Sequence, residues 1–219
     1  MPEVSFILPT RNEVLAIGRL IDEIKVLPFD KEILVIDYKS TDGTREAALR
    51  KGVILIDEEE KGKGAALLRG FREAKGRYII TLDADGTYLV KDIPGILSHL
   101  QSGLGAVLGW RKYKEQGSMF WGHQLGNFLL SLLASVLYFN RVRDINTGMK
   151  GFRRHTLSQL RLTSKDFTIE ADIFVRLVRR YADFIEVPIG YKPRVNGSTP
   201  KLSILDGFKI GWFLVRSRF

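Results

Sequence analysis

Tyr78-Ile79-Ile80-Thr81-Leu82-Asp83-Ala84-Asp85-Gly86 is an apolar run that ends in two carboxylates and a glycine. The run has the length and composition of a buried strand, and Gly86 lets the backbone turn sharply once it ends. In extended chain the side chains of residues i and i+2 leave the same face, so Asp83 and Asp85 converge while Ala84 turns away. Two carboxylates at a strand end suit a hard divalent cation. Mg²⁺ takes only one or two protein carboxylates and leaves its other positions to water and phosphate, so this pair suffices if a diphosphate supplies the rest. Alone, Asp-x-Asp reads equally as an acidic turn, because Asp and Gly are ordinary turn residues.

The surroundings of this segment decide between the two readings. The first hundred residues alternate strand-like and helix-like segments, the pattern of a mostly parallel sheet flanked by helices. Strands are expected at Val4 to Leu8, Glu32 to Asp37, Val53 to Asp57, Tyr78 to Leu82 and Ala106 to Leu108. Helices are expected at Leu15 to Leu27, Thr44 to Lys51, Gly64 to Ala74 and Ile93 to Gln101, where apolar residues recur three and four apart. An α/β fold follows, and in such sheets ligands bind beyond the carboxyl ends of the strands. Pro9-Thr10-Arg11, Asp37 and Asp83/Asp85 all fall at such ends.

The second half differs in charge. Residues 1 to 100 hold 15 Lys/Arg against 17 Asp/Glu and residues 101 to 219 hold 19 against 8, so the net charge of +9 comes wholly from the second half. That half suits an anionic lipid, a phosphate-bearing acceptor or nucleic acid. No zinc-finger spacing, aromatic RNA-binding motif or basic-region heptad points to nucleic acid, which is therefore not expected as a partner. With 219 residues and no cysteine, the chain is read as a single domain. It has no thiolate metal site and no cysteine nucleophile. Met1-Pro2-Glu3 shows no signal-peptide pattern and reads as a cytosolic start. Phe120 to Phe139 is too polar for a span of about 20 apolar residues, since it includes His123, Gln124 and Asn127. It reads as an amphipathic helix, lying either in a membrane interface or on the sheet, and Asp206 to Phe219 has the same character.

With these pieces in order, the chain resembles the inverting family 2 glycosyltransferases of GT-A fold, above all the dolichol-phosphate mannose/glucose synthase branch. The resemblance spans nearly the whole chain. It is carried by Phe6-Ile7-Leu8-Pro9-Thr10-Arg11-Asn12-Glu13, by Val35-Ile36-Asp37-Tyr38-Lys39-Ser40-Thr41-Asp42-Gly43-Thr44 and by Lys61-Gly62-Lys63-Gly64-Ala65-Ala66 with Arg69-Gly70-Phe71. Asp83-Ala84-Asp85, Asp144-Ile145-Asn146-Thr147-Gly148-Met149 and Arg194 through Lys201-Leu202 complete it.

By that resemblance residues 1 to 110 form the nucleotide-sugar-binding half and residues 111 to 219 the acceptor-binding, membrane-facing half; Pro9, Arg11, Glu13, Ile36 and Asp37 line the nucleotide pocket, and Asp83-Ala84-Asp85 faces the nucleotide-sugar. Asp85, with help from Asp83, holds Mg²⁺ or Mn²⁺ against the donor diphosphate. Arg194 and Lys201 reach phosphates from a loop containing Asn196-Gly197-Ser198-Thr199-Pro200 and expected to close over the donor. Arg111 and Arg143 are candidate contacts for an acceptor phosphate. Asp42 and Thr44 shape a turn and start a helix. Lys61-Gly62-Lys63-Gly64 lacks the spacing of a P-loop; Lys63 is either a donor contact or a solvated lysine at a helix start. In two places the chain departs from the pattern: Arg11 replaces a common tyrosine, and Tyr38-Lys39 replaces Asp-Gly. Tyr38 lacks the acceptor role of a carboxylate, so the base of the donor stays open between GDP and UDP.

The acceptor decides whether a general base is needed. A sugar hydroxyl must lose a proton, which directs attention to Asp144, Glu170 and Asp172. A lipid phosphate is already anionic and attacks without one. The expectation is transfer of mannose or glucose from GDP-mannose or UDP-glucose to polyprenyl (dolichyl-type) phosphate by a peripheral protein at the cytosolic membrane face, with a homodimer among the open oligomeric states. The rivals are transfer to a soluble sugar or glycolipid, nucleotidyl transfer (whose Gly-rich loop residues 7 to 14 lack) and a non-catalytic basic lipid-binding module.

Overall fold

The computed structural model describes residues 1–180, 182–195 and 201–219. A seven-stranded sheet is ordered β3-β2-β1-β4-β6-β5-β7. Its strands are β1 (Val4–Thr10), β2 (Lys31–Asp37), β3 (Ile54–Asp57), β4 (Tyr78–Thr81), β5 (Ala106–Lys114), β6 (Lys150–Arg153) and β7 (Phe184–Tyr191). β1 pairs in parallel with β2 and β4, β2 with β3, and β5 with β7. Only β6 runs antiparallel to both its neighbours. The sheet is thus mostly parallel, as expected, and its reversed strand brings the start of β6 to the edge where the other strands end.

Helices cover both faces. α1 (Val14–Lys25) and α4 (Ile93–Gln101) bury one stripe each, including Ile17, Ile21 and Ile24, and Ile93, Ile96 and Leu100. These side chains pack on Phe6, Leu8, Val35 and Ile80. On the other face α3 (Lys63–Glu73), α6 (Arg154–Leu160) and α7 (Ile169–Arg179) meet Ile7, Leu34, Ile36, Ile79 and Phe152. The short α2 (Thr44–Arg50) follows β2. α5 (Trp121–Tyr138) and α8 (Ile204–Arg216) pack on each other and on α7, in a third cluster with Ala134, Phe174, Ile210 and Leu214. α8 opens with a reciprocal cap in which Ser203 and Asp206 satisfy each other's backbone amides. Among the described residues, no helix is long and apolar enough to cross a membrane.

The expected elements are present with ends moved by a residue or two. β5 runs six residues past its expected end, through Trp110, Arg111 and Tyr113, because β7 pairs alongside it. β7 contains Pro188, which an edge strand tolerates.

Gly62 and Gly64 of the Lys-Gly-Lys-Gly segment serve close backbone packing. A Cβ at Gly64 would stand 2.3 Å from the Ser164 carbonyl oxygen, and one at Gly62 2.1 Å from that of Lys165. The amides of Gly64 and Ala65 donate to the carbonyls of Asp166 and Lys165 (3.2 and 2.8 Å), so these N–H groups are engaged by protein. Gly64→Ala must force these two backbones apart. It is expected to lower stability by about 1–3 kcal/mol, read as a shift in the urea midpoint at unchanged m-value.

Candidate functional site

The chain reverses direction across the sheet between β1 and β4, the position where open α/β sheets form a ligand crevice. β1, β2, β4, β5 and β7 all end at that edge. Residues 144–149, which lead into β6, reach it from the opposite direction. The edge therefore gathers Arg11 and Glu13, Asp37, Asp83 and Asp85, Arg111, the 144–149 loop and Arg194.

Asp85 is buried and fixed. Its Oδ1 accepts from the Thr87 amide (3.0 Å) and hydroxyl (2.7 Å), which leaves Oδ2 for a cation. The Arg194 guanidinium takes that oxygen at 2.6 Å. Lys201, farther along the same segment, pairs with the buried Glu13 carboxylate and donates to the Arg11 carbonyl. Burial pushes the Glu13 carboxyl above its ordinary value, against the opposing pull of Lys201. Residues 196–200, on which the expected closing loop rests, lie outside the described residues.

Asp83 stands at the end of a buried charge cluster. The Lys63 ammonium lies 2.6 Å from Asp83 Oδ1 and 2.6 Å from Glu170 Oε1. Lys150 holds the other Glu170 oxygen and the Thr147 carbonyl. Burial raises the Asp83 carboxyl, but Lys63 outweighs it and holds the group below its ordinary value. Lys63 is pushed up, since Asp83 and Glu170 overcome the cost of burying its charge. Lys150 is pushed down by its burial. The reading of Lys63 as a solvated lysine is therefore corrected: two carboxylates hold it in the interior. Gly148 backs onto this cluster, where a Cβ would come within 2.4 Å of Asp83 Oδ2.

The pocket residues named from sequence divide into several groups. Asp37 is fully buried and accepts from the Ser40 amide (3.0 Å) and Arg45 (3.1 Å), so its carboxylate organises the following loop. Pro9 and Ile36 are register partners, but the Ile36 and Ala84 side chains belong to the core, which leaves only their main chain for a ligand. Arg11 is exposed and lies over the Tyr38 ring at 5.3 Å. Asp42 accepts from the amides of Val14 and Thr44, the turn-shaping part expected of it.

The two candidate acceptor arginines are differently placed. Arg111 is buried, bound to Asp144 through Nε (2.7 Å) and Nη2 (2.6 Å) and lying over the Tyr191 ring at 5.1 Å. Arg143 is exposed, 3.4 Å from Glu186 and 4.9 Å above the Trp110 ring.

The three carboxylates considered as bases all have structural partners. Asp144 holds Arg111 and accepts from Asn127 (3.0 Å), and Glu170 holds two lysines. Asp172 accepts from the amides of Thr163 and Ser164 and from Arg176. Lys150 was not anticipated. Its signal in sequence is a lysine inside the strand-like Met149-Lys150-Gly151-Phe152.

A divalent cation fits this edge in one respect: Asp85 Oδ2 faces a positive group while its other oxygen is pinned. No cluster of three or more His, Asp or Glu able to hold a metal occurs among the described residues. Asp85, with Asp83 near it, would hold such an ion only together with ligand and water oxygens.

Comparison with known proteins agrees with this architecture. Residues 5–161 match the family described as Glycosyl transferase family 2, and the chain belongs to that family. It is 33% identical over 207 residues to glycosyltransferase AglJ of Haloferax volcanii, an alignment covering 93% of this chain and 68% of the relative. The low-salt glycan biosynthesis hexosyltransferase Agl6 of that organism is 32% identical, with 98% of this chain and 52% of the relative covered. Its dolichyl-phosphate hexose transferase is 29% identical, with 98% and 93% covered. Thus the chain spans about half of Agl6 but nearly all of the last. Among solved structures, glucosyl-3-phosphoglycerate synthase from Mycobacterium tuberculosis in complex with UDP superposes with a TM-score of 0.79 at 21% identity, over 99% of this chain and 80% of that one. The same synthase with Mn²⁺, UDP-glucose and glycerol 3-phosphate gives 0.76, at 20% identity over 99% and 78% of the chains. The fold is GT-A.

The Arg111–Asp144 pair yields a test of stability and pH together. Burial raises the Asp144 carboxyl, but Arg111 dominates and holds it below its ordinary 3.8. Its contribution is complete above that value and is lost as pH falls through the lower folded-state value. Asp144→Asn leaves a buried guanidinium without its counterion and is expected to cost about 3–5 kcal/mol at pH 7. Urea unfolding at pH 7 and near pH 3 should show the gap to wild type narrowing at the acid end.

Proposed function

We propose that this glycosyltransferase moves a hexose from a nucleotide-sugar, GDP-mannose or UDP-glucose, to polyprenyl (dolichyl-type) phosphate at the cytosolic face of a membrane, using Mg²⁺ or Mn²⁺. The observation that carries the reading is the state of the carboxylates at the sheet edge. Asp85 presents one oxygen to a cation, whereas Asp144, Glu170 and Asp172 are bound to arginine, lysine or backbone amides. A hydroxyl acceptor requires a general base, and those three are committed elsewhere. An acceptor phosphate brings its own negative oxygen. The dolichyl-phosphate hexose transferase among the relatives points to the same acceptor, and the solved structures with UDP or UDP-glucose support a nucleotide-sugar donor.

In this reading Glu13 accepts from ribose hydroxyls, and Arg11 with Tyr38 borders the base. Arg194 and Lys201 neutralise the diphosphate, exchanging the carboxylates of Asp85 and Glu13 for its more highly charged oxygens. Asp83, kept anionic by Lys63, orients ribose or sugar hydroxyls. An acceptor phosphate oxygen forms the new bond to the sugar C1 as the bond from C1 to the diphosphate breaks, with inversion at C1 and departure of the nucleoside diphosphate. A divalent ion at Asp85 would offset the charge gathering on that leaving group.

Two measurements test this. Incubation with each donor, Mg²⁺ and polyprenyl phosphate is expected to give a lipid-linked hexose with one of them. Asp85→Ala should cut transfer by about a hundredfold or more, the scale of losing a positioned charge-stabilising group, while leaving the unfolding free energy within about 1 kcal/mol of wild type. No lipid product from either donor would refute the acceptor, and full activity of the variant would refute the role of Asp85. In a thermal-shift comparison of GDP, UDP and CDP, one nucleotide at a hundred times its Kd should stabilise the fold by about 2.7 kcal/mol. A chelator should remove most of that gain.

A further inference from the structure

α5 and α8 are inside out. The buried positions of α5 are Ser131, Ala134 and Tyr138. Its exposed large apolar positions are Trp121, Leu125, Phe128, Leu129, Leu132 and Val136, at 49–68% exposure. At 3.6 residues per turn these six fall on one stripe about 100° wide, opposite the buried residues. α8 repeats the arrangement: Ile210 and Leu214 face inward, while Ile204, Leu205, Phe208 and Trp212 stand out at 68–77% exposure. The helices pack together, with the Tyr138 hydroxyl donating to the Leu214 carbonyl (3.0 Å). Side by side they are about 27 and 20 Å long. Ten large apolar side chains, each about half or more exposed, thus lie on these two helices, whereas contiguous exposed apolar patches on soluble monomers are ordinarily small.

Charge on this surface selects the occupant. α5 contains no Asp, Glu, Lys or Arg; α8 carries exposed Lys209 and Arg216 and one acid, Asp206, which is engaged in its cap, while exposed Lys112, Lys114, Arg141 and Arg218, with Glu115, lie on the segments next to the two helices in sequence. Two of these cations rest on aromatic rings: Arg218 over Phe139 at 5.7 Å, and Lys112 over Trp110 and Tyr113 at 5.5 and 5.3 Å. Aromatic and aliphatic groups to one side with cations around them match the acyl boundary and phosphate layer of a bilayer. A second protein copy would meet the same positive rim on both sides. The surface is also continuous with the sheet edge, since Asn127 of α5 holds Asp144, and Lys201, bound to Glu13, lies two residues before the cap of α8.

We propose that the outer face of α5 and α8 is a docking surface for an anionic bilayer, lying in its interface plane and bringing the sheet edge to the level of the lipid phosphates. The proposal deepens the polyprenyl-phosphate reading and rests on it for the purpose of docking, but its test is a binding measurement independent of catalysis. The protein is mixed with vesicles of phosphatidylcholine and phosphatidylglycerol (3:1) or of phosphatidylcholine alone and sedimented. Wild type is expected to bind the anionic vesicles at least tenfold more tightly. Raising salt from 0.1 to 1 M should weaken binding, as the screening length drops from about 10 to 3 Å.

Phe128→Asp with Leu132→Asp should abolish binding, and Lys209→Glu with Arg216→Glu should remove the preference for anionic lipid. All four positions are exposed, and retained far-UV circular dichroism and nucleotide-induced melting shifts verify the fold. Wild type remaining in the supernatant, or the aspartate variant binding undiminished, overturns the proposal. So does a wild-type dimer in sedimentation velocity that the aspartate variant dissolves without any vesicle binding, which would make the face a contact between copies. Transfer to a short-chain, water-soluble polyprenyl phosphate separates the two readings. If the aspartate variant keeps that transfer but loses the vesicles, docking and acceptor both stand; if wild type binds vesicles yet glycosylates no polyprenyl phosphate, the acceptor reading falls and the docking surface remains.

Discussion

Lys63 stands between Asp83 and Glu170, 2.6 Å from each, in an interior where water compensates little of any charge. Four titratable groups meet there, two lysines and two carboxylates, and removing one partner of a buried ion pair costs about 3–5 kcal/mol. The cluster joins the end of β4 to α3, α7 and the start of β6, so it ties the first four strands of the sheet to the part of the chain that follows. The same ammonium keeps Asp83 ionised and oriented. Backbone packing supports the arrangement: Gly62 and Gly64 let α3 close on residues 164–165, and Gly148 gives Asp83 room on the other side.

Around this anchor the molecule separates two kinds of surface. The sheet edge is dense in charge, and nearly every carboxylate there has a cationic or amide partner in the protein. In the Arg194–Asp85 and Lys201–Glu13 pairs the cation sits nearer solvent than the carboxylate it holds. A short distance away, α5 and α8 turn their largest apolar side chains outward. A chain that buries Ser131 and Ala134 while exposing Phe128 and Trp212 has its hydrophobic surface arranged for something other than its own core.

Much of the fold was legible locally. Alternating strand and helix patterns in the first hundred residues, each strand followed by turn chemistry, anticipated β1 to β4 and α1 to α4, because periodicity and turn residues report on neighbours in sequence. β6 and β7 escaped detection for physical reasons. β6 is four residues long and includes Gly151 and a lysine made interior by a partner twenty residues away, while β7 contains Pro188 and owes its place to β5. The lysines of Lys61-Gly62-Lys63-Gly64 were equally opaque, since two nearby lysines look alike until one of them meets carboxylates.

By itself, the sequence determined the parallel strand plan, the strand-end carboxylates Asp83 and Asp85, the turn at Asp42, and the basic bias of the second half. These are properties of residue type and short-range spacing. Only the tertiary structure decided that Lys63 is an interior ion, that Arg111 is spent on Asp144, that Arg194 lies on Asp85, and that the large apolar faces of α5 and α8 point away from the core. Each of those depends on groups brought together from distant parts of the chain, where burial and the partner's charge, not the residue's own nature, set what it does.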